Sequence, residues 1–269
     1  MAKKKKCVIL YRTHIWPFKQ SLKGMDLQAI LIELHRGVNE YNERKDRKFD
    51  YELCILFNEA GNVNILNRDS YNCDYHSFTH QDIRAAGFLT NDCEEFKAIF
   101  SKVDLHKRAE RFLKGKPFWF SGEYGILDYY LKRDECAYYW NVEYDCWPVG
   151  NFSEYLRCFD NKTEDLLTSR YQRKGLPGDW HPWYDIIAGF EPEHRYGCYF
   201  PFFRLSNKAV KTLVRGYLDE RVVGYCEGLV PTYLNHKGLS CANFSRYYKQ
   251  YSKRCTMRHN HHGNIVHVG

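Results

Sequence analysis

The sequence predicts an α/β protein, one domain with a mostly parallel central sheet flanked by helices, and three observations carry that expectation. Residues 7–11 (CVILY) and 51–57 (YELCILF) are short apolar runs with the composition of buried strands. Between them, residues 26–41 place Leu27, Ile30, Leu31, Leu34 and Val38 at helical spacing. A strand–helix–strand order of this kind predicts parallel pairing through a right-handed crossover. The third observation is the run 136–151, CAYYWNVEYDCWPVGN, in which 137–142 holds one clearly polar residue, Asn141, and so reads as a strand covered on both faces. Pro148 and Gly150 are expected to stop that strand just past two acids, Glu143 and Asp145.

The other elements follow in order. A short strand is expected at 63–66, a helix at 92–100, an apolar run at 116–120 (KPFWF), and a helix over 122–131 with Tyr124, Leu127, Tyr130 and Leu131 on one face. Residues 174–178 (KGLPG) and the aromatic stretch 180–184 read as one long functional loop. A strand at 199–205 then meets Ser206 as N-cap of an amphipathic helix over 207–218. With no repeat or low-complexity linker to divide it, 1–269 is expected to be a single domain.

Composition narrows the function classes. At 269 residues with 44% hydrophobic and 17% aromatic content, the chain can fill a large core. No apolar run approaches the roughly 20 residues of a membrane helix, and the stretch after residues 1–6 is too short for a secretory signal. No membrane partner is therefore expected, and a cytoplasmic location is. Eleven cysteines, odd in number, scattered and without a C-x-x-C pair, read as reduced core thiols rather than disulfides or a zinc ribbon. A net charge of +7 favours anionic ligands, and basic residues interleaved with 22 tyrosines leave nucleic-acid binding as an alternative function.

The chain has no P-loop and no G-x-G-x-x-G turn to cradle phosphates. Mn²⁺ or Mg²⁺ held by one or two carboxylates and shared with the ligand's phosphates is the usual substitute. Glu143 and Asp145, at the carboxyl end of a strand where α/β sheets collect ligands, are placed for that task. Trp180, Trp183 and Tyr184 offer flat faces suited to the apolar side of a sugar ring.

The strand–helix order, the acid pair in 140–145, FRLSNKAVKTL at 203–213, CEGLVPTYLNHKG at 226–238 and the terminal NIVHVG together resemble GT-A (Rossmann-like) glycosyltransferases. The similarity runs through most of the chain. In flavour it is that of the enzymes with which large algal viruses decorate their capsid glycoprotein, a xylosyltransferase among them. The resemblance implies metal-dependent, inverting transfer of a sugar, xylose preferred, from a UDP-sugar to a glycan hydroxyl, such as the N-glycan of a viral capsid protein in the host cytoplasm. A catalytically inactive scaffold of the same fold is a further alternative. It also implies a nucleotide-sugar half at 1–150, an acceptor half at 151–251 and a tail at 252–269 that closes the metal site.

Site roles implied by the resemblance are specific. Asp145 would bind the metal and Glu143 the ribose or donor sugar, with Glu in place of the family's first Asp lengthening the arm. His267 would complete the metal site, with His259, His261 and His262 as competitors, and Tyr11, Arg12 and Thr13 would contact uridine and ribose. Glu227 would be the general base, between Gly224 and Gly228 and ahead of a helix carrying Pro231 in its first turn and running to Asn235. Asp185 is the alternative base and Asp74 a further one, while Trp180, Trp183 and Tyr184 would form the acceptor platform.

Overall fold

The computed structural model describes residues 4–13, 27–58, 73–101, 121–133, 135–176, 186–248, 255–261 and 264–267. In chain order these form β1 (Lys5–Thr13), α1 (Leu27–Glu43), β2 (Phe49–Asn58), β3 (Asp74–Phe78), α2 (His80–Ala85) and α3 (Glu94–Phe100). There follow α4 (Tyr124–Lys132), β4 (Tyr138–Glu143), β5 (Cys146–Gly150), α5 (Phe152–Arg157), β6 (Leu166–Arg173) and β7 (Tyr196–Ser206). The last are α6 (Asn207–Leu218), α7 (Cys226–His236), β8 (Cys241–Asn243), α8 (Ser245–Tyr248), β9 (Cys255–His261) and β10 (Asn264–His267). The expected strand at 63–66 and the apolar run at 116–120 lie outside the described residues.

Seven strands form the central sheet in the order β3-β2-β1-β4-β7-β6-β8. The β3, β2, β1 and β4 strands pair in parallel, and so do β6 and β8, whereas β7 runs antiparallel to both β4 and β6. The expected mostly parallel α/β sheet is thus present, with one reversed strand. That reversal has a geometric result. The carboxyl ends of β1, β4, β6 and β8 and the amino end of β7 all lie along one edge of the sheet.

Side chains alternate across β1, as they must on a pleated strand. Val8 and Leu10 enter one core with α4, α6 and α7, whereas Cys7, Ile9 and Tyr11 enter another with α1 and α5. Helix α6 starts where Ser206 accepts a hydrogen bond from Ala209 N, the cap the sequence predicts. The buried Cys7, Cys54, Cys136, Cys146, Cys198 and Cys226 are free thiols. Among the described residues no helix is long and apolar enough to cross a membrane.

Two expectations need correction. Pro148 and Gly150 do not simply end the acid-bearing strand: β4 stops at Glu143, Tyr144 and Asp145 turn, and Cys146–Gly150 becomes β5 of a second, three-stranded sheet ordered β10-β9-β5. Among the described residues β5 is the edge of that sheet, the kind of strand in which proline is tolerated. Pro231 is not in a first turn either. Helix α7 begins at Cys226, so Glu227 lies within the first turn and Pro231 lies inside the helix. The N–H that proline lacks would have reached the Glu227 carbonyl, and the Cys198 thiol donates to that oxygen instead, at 3.6 Å.

Candidate active site

The site forms along the carboxyl edge of the sheet, where β1 and β4 end side by side with Arg12 in register with Glu143. The Arg12 guanidinium pairs with the Glu143 carboxylate and donates to the Gly122 carbonyl just ahead of α4. A Cβ at Gly122 would stand 2.5 Å from that guanidinium, so a larger residue would have to displace the arginine head from this position. Tyr11, one residue earlier, points into the core, and its hydroxyl donates to the Tyr144 carbonyl at 3.0 Å, bracing the turn that carries Asp145. Thr13 is fully buried.

At the start of α7, burial pushes the Cys226 thiol well above the ordinary range, with Glu123 and Glu227 adding to the effect. Next to it, the largely buried Glu227 accepts from Phe200 N at 3.0 Å, so β7 orients that carboxylate. The neighbouring Tyr199 reports on the whole group. Its phenol is raised first by burial and then by the charge of Glu227, with further contributions from Cys146, Glu143 and Asp145. Tyr225 is raised likewise by burial, then Glu227 and Cys226, with Glu143 adding and Arg12 opposing. Strand β7 runs beside β4 with Phe202 opposite Val142, so Phe200, whose N–H holds Glu227, stands abreast of the end of β4 that carries Glu143 and, two residues on, Asp145.

A fourth carboxyl stands behind them. Glu123 is completely buried, and Tyr217 of α6 donates its hydroxyl to one oxygen, while the other has no hydrogen-bond partner. Desolvation pushes its pKa up to about 7, against the lowering effects of the Tyr217 hydrogen bond and of Arg12. The sequence reading passed over Glu123 and Tyr199. An acid in SGEYG ahead of a helix looks like an ordinary first-turn residue, and only the packing of α6 over it shows that it is sealed.

The remaining predicted residues are placed unevenly. Asp74 sits at the start of the edge strand β3, three strands from β4, and pairs with Arg133 at 3.6 Å, away from the acid group. Trp180, Trp183, Tyr184 and Asp185 lie outside the described residues, as does His262. For the tail, the backbone register is defined: β9 lies against β5 with His259 across from Cys146, and β10 lies against β9 with His267 across from Arg258. The tail backbone thus adds to the strand that begins one residue after Asp145.

As a metal site, the acids supply hard oxygen donors on the sheet's ligand edge, the donor type Mn²⁺ and Mg²⁺ take. Among the described residues no group of three or more His, Cys, Asp or Glu side chains could hold an ion by itself.

No protein-family model matches the chain. No curated protein matches it by sequence. Among solved structures, the chain is similar to the galactosyltransferase LgtC in complex with donor and acceptor sugar analogues, at 12% identity over 88% of this chain and 72% of that one, with a TM-score of 0.40. It is similar to a nucleoside-diphosphate-sugar pyrophosphorylase from Vibrio cholerae RC9, at 10% identity over 88% and 90% of the two chains and a TM-score of 0.40. It is also similar to residues 1–349 of TarS from S. aureus, at 13% identity over 90% and 58% of the two chains and a TM-score of 0.39. Likeness at this level concerns the path of the backbone, and the chemistry of the site stands on the chain's own residues.

Proposed function

We propose that the chain is a metal-dependent, inverting glycosyltransferase that moves a sugar from a UDP-sugar to a hydroxyl of a glycan. The observation that supports this reading is that Phe200 on β7, which holds Glu227, runs beside the carboxyl end of β4, where Arg12 pairs with Glu143 just ahead of Asp145. One transfer needs two kinds of carboxylate, and the locale supplies both.

Asp145, with Glu143 beside it, would hold Mn²⁺ or Mg²⁺; when bound, such an ion supplies Lewis-acid neutralisation of the departing diphosphate. Arg12 keeps the Glu143 arm on the site by ion pairing. Glu227, fixed through Phe200 N, accepts the proton of the acceptor hydroxyl as its oxygen bonds to the anomeric carbon and the bond to the diphosphate breaks. Attack by that oxygen from the face opposite the leaving group inverts the anomeric centre. His267 and the aromatic residues Trp180, Trp183 and Tyr184 keep the roles the resemblance implies, with Asp185 the alternative base, whereas Tyr11 and Thr13, both fully buried, present no surface to uridine or ribose. Xylose as the sugar and a viral capsid glycoprotein as the acceptor rest on the resemblance alone.

Thermal melts with UDP, GDP and CMP, each with and without Mn²⁺, test the reading. Ligand binding to the native state raises the melting temperature, and the expected result is a shift for UDP that requires Mn²⁺ and is lost in Asp145→Asn. A UDP shift of equal size without metal, or none at all, would overturn it. A panel of UDP-sugars with a glycan acceptor, read as UDP release, then tests xylose.

A further inference from the structure

A cavity of about 580 Å³ opens at the outer end of the same sheet edge, lined chiefly by Tyr171, Arg173, Tyr196, Cys241, Asn243 and Arg246. Its volume lies within the usual range for small-ligand sites. The β6–β7 ladder is irregular beside the cavity: Thr168 is opposite Phe203 and Ser169 opposite Tyr199, so β7 carries three extra residues there, and Gln172 is opposite Gly197, so β6 then carries one as a bulge. Arg170, inside the bulge, takes a left-handed φ of 52° that costs a non-glycine residue energy and is found where structure or function demands it. Its guanidinium lies over the Tyr199 ring, 5.6 Å from the centroid.

The bulge takes Tyr171 out of the ladder, and the surroundings fix it. The Asn243 side chain accepts from Tyr171 N at 2.5 Å and donates to Tyr171 O at 2.7 Å, replacing both lost backbone bonds. The Tyr171 hydroxyl donates to Asn235 at 2.9 Å, and its ring stacks on Tyr196 with centroids 5.5 Å apart and planes within 5°. Thr232 holds Tyr196 through both its N–H and its carbonyl, at 2.8 and 3.1 Å. Arg173 is oriented by the bond from Nε to the Glu193 carbonyl at 2.7 Å. Among the described residues the lining thus has a preset aromatic wall, two arginines and no carboxylate.

Helix α7 measures how far this cavity lies from the acid group. Glu227 is in its first turn, and Asn235, which holds Tyr171, is eight residues later, a rise of about 12 Å. That is within the reach of a short oligosaccharide. We infer that the cavity is a subsite for a negatively charged sugar of the acceptor, a uronic acid or a phosphorylated sugar, bound by Arg173 and Arg246 while its ring rests on the tyrosine pair. Guanidinium forks match carboxylate and phosphate oxygens, and the flat face of the tyrosine pair suits the apolar side of a sugar ring. The inference names the acceptor class for the proposed transferase and rests on that reading.

Binding is measured by calorimetry with a galacturonate oligomer, a phosphorylated mannose oligomer, an uncharged oligosaccharide of equal length and an oligouridylate RNA. The wild type is expected to bind one or both anionic sugars at least tenfold tighter than the uncharged one, with affinity falling as salt rises. The doubly substituted Arg173→Gln, Arg246→Gln protein should lose that preference while keeping the Mn²⁺-dependent UDP shift, and Arg173→Lys, Arg246→Lys should retain part of it. Equal affinity for charged and uncharged oligosaccharides, an anion preference undiminished by the Gln pair, or tighter arginine-dependent binding of RNA would each overturn the subsite. Anionic-sugar binding without any UDP shift would retire the transferase and leave a carbohydrate-binding site, whereas a UDP shift without anion preference would do the reverse.

Discussion

A carboxyl with the burial of Glu123 ties the stability of the protein to pH. In the folded chain its pKa is about 7, whereas in the unfolded chain it returns to about 4.3. Between those values the native state holds a proton that the unfolded state has released, so stability falls as pH rises through that window and levels off above it. The loss is on the order of 4 kcal/mol over the full window, at 1.36 kcal/mol per pH unit. Glu123→Gln keeps an acceptor for the Tyr217 hydroxyl and removes the titration. Urea unfolding at pH 5 and pH 8 should show the wild type losing stability on that scale and the variant losing much less. A wild-type curve as flat as the variant's would show that Glu123 ionises freely. Glu227→Gln is the functional counterpart: the amide can still accept from Phe200 N, so UDP and Mn²⁺ binding should persist while turnover drops roughly 10²–10⁴-fold. A near-normal rate of UDP release would pass the role to Asp185.

Elements differ in how far a sequence can define them. Strands β1 and β2 and helices α1 and α6 were legible because apolar periodicity and one cap residue, Ser206, are local signals. Strand β5 was not, because its Pro148 is acceptable only at an edge, and the edge exists only once β9 arrives from the far end of the chain. The start of α7 was misplaced for a similar reason: Pro231 marks a first turn by local rules, yet here Cys198 on β7 satisfies the carbonyl that the proline leaves unbonded. The acid pair stands out by its place at a strand end and Glu227 only through the resemblance, whereas the burial of Glu123 depends on Tyr217, far along the chain. The β9–β10 hairpin gives a prediction at this scale. Deleting residues 264–269 removes β10 and leaves β9 as an open edge, so Mn²⁺-dependent UDP affinity should fall at least tenfold with little loss of apo melting temperature. Unchanged affinity would retire His267 and the tail from the site.

For the molecule as a whole, two cores share one sheet, and β1 serves both. Ile9 and Leu10 are each fully buried, on opposite faces, so Ile9→Ala and Leu10→Ala should each cost about 2–5 kcal/mol. If 1–269 is one domain, both should lower a single unfolding transition detected alike by tryptophan fluorescence and far-ultraviolet circular dichroism. Separate transitions, with each substitution moving only one, would divide the chain into two units. The pairing of β5 with β9 adds a consequence in time. Its partners are on the order of a hundred residues apart, so joining them closes a long loop, an entropic cost met before the contacts reward it. The central parallel strands can assemble while that small sheet is still open. During refolding, the regained secondary structure should therefore precede the regained capacity to bind nucleotide, leaving an interval in which the chain is folded at its centre and inactive at its rim.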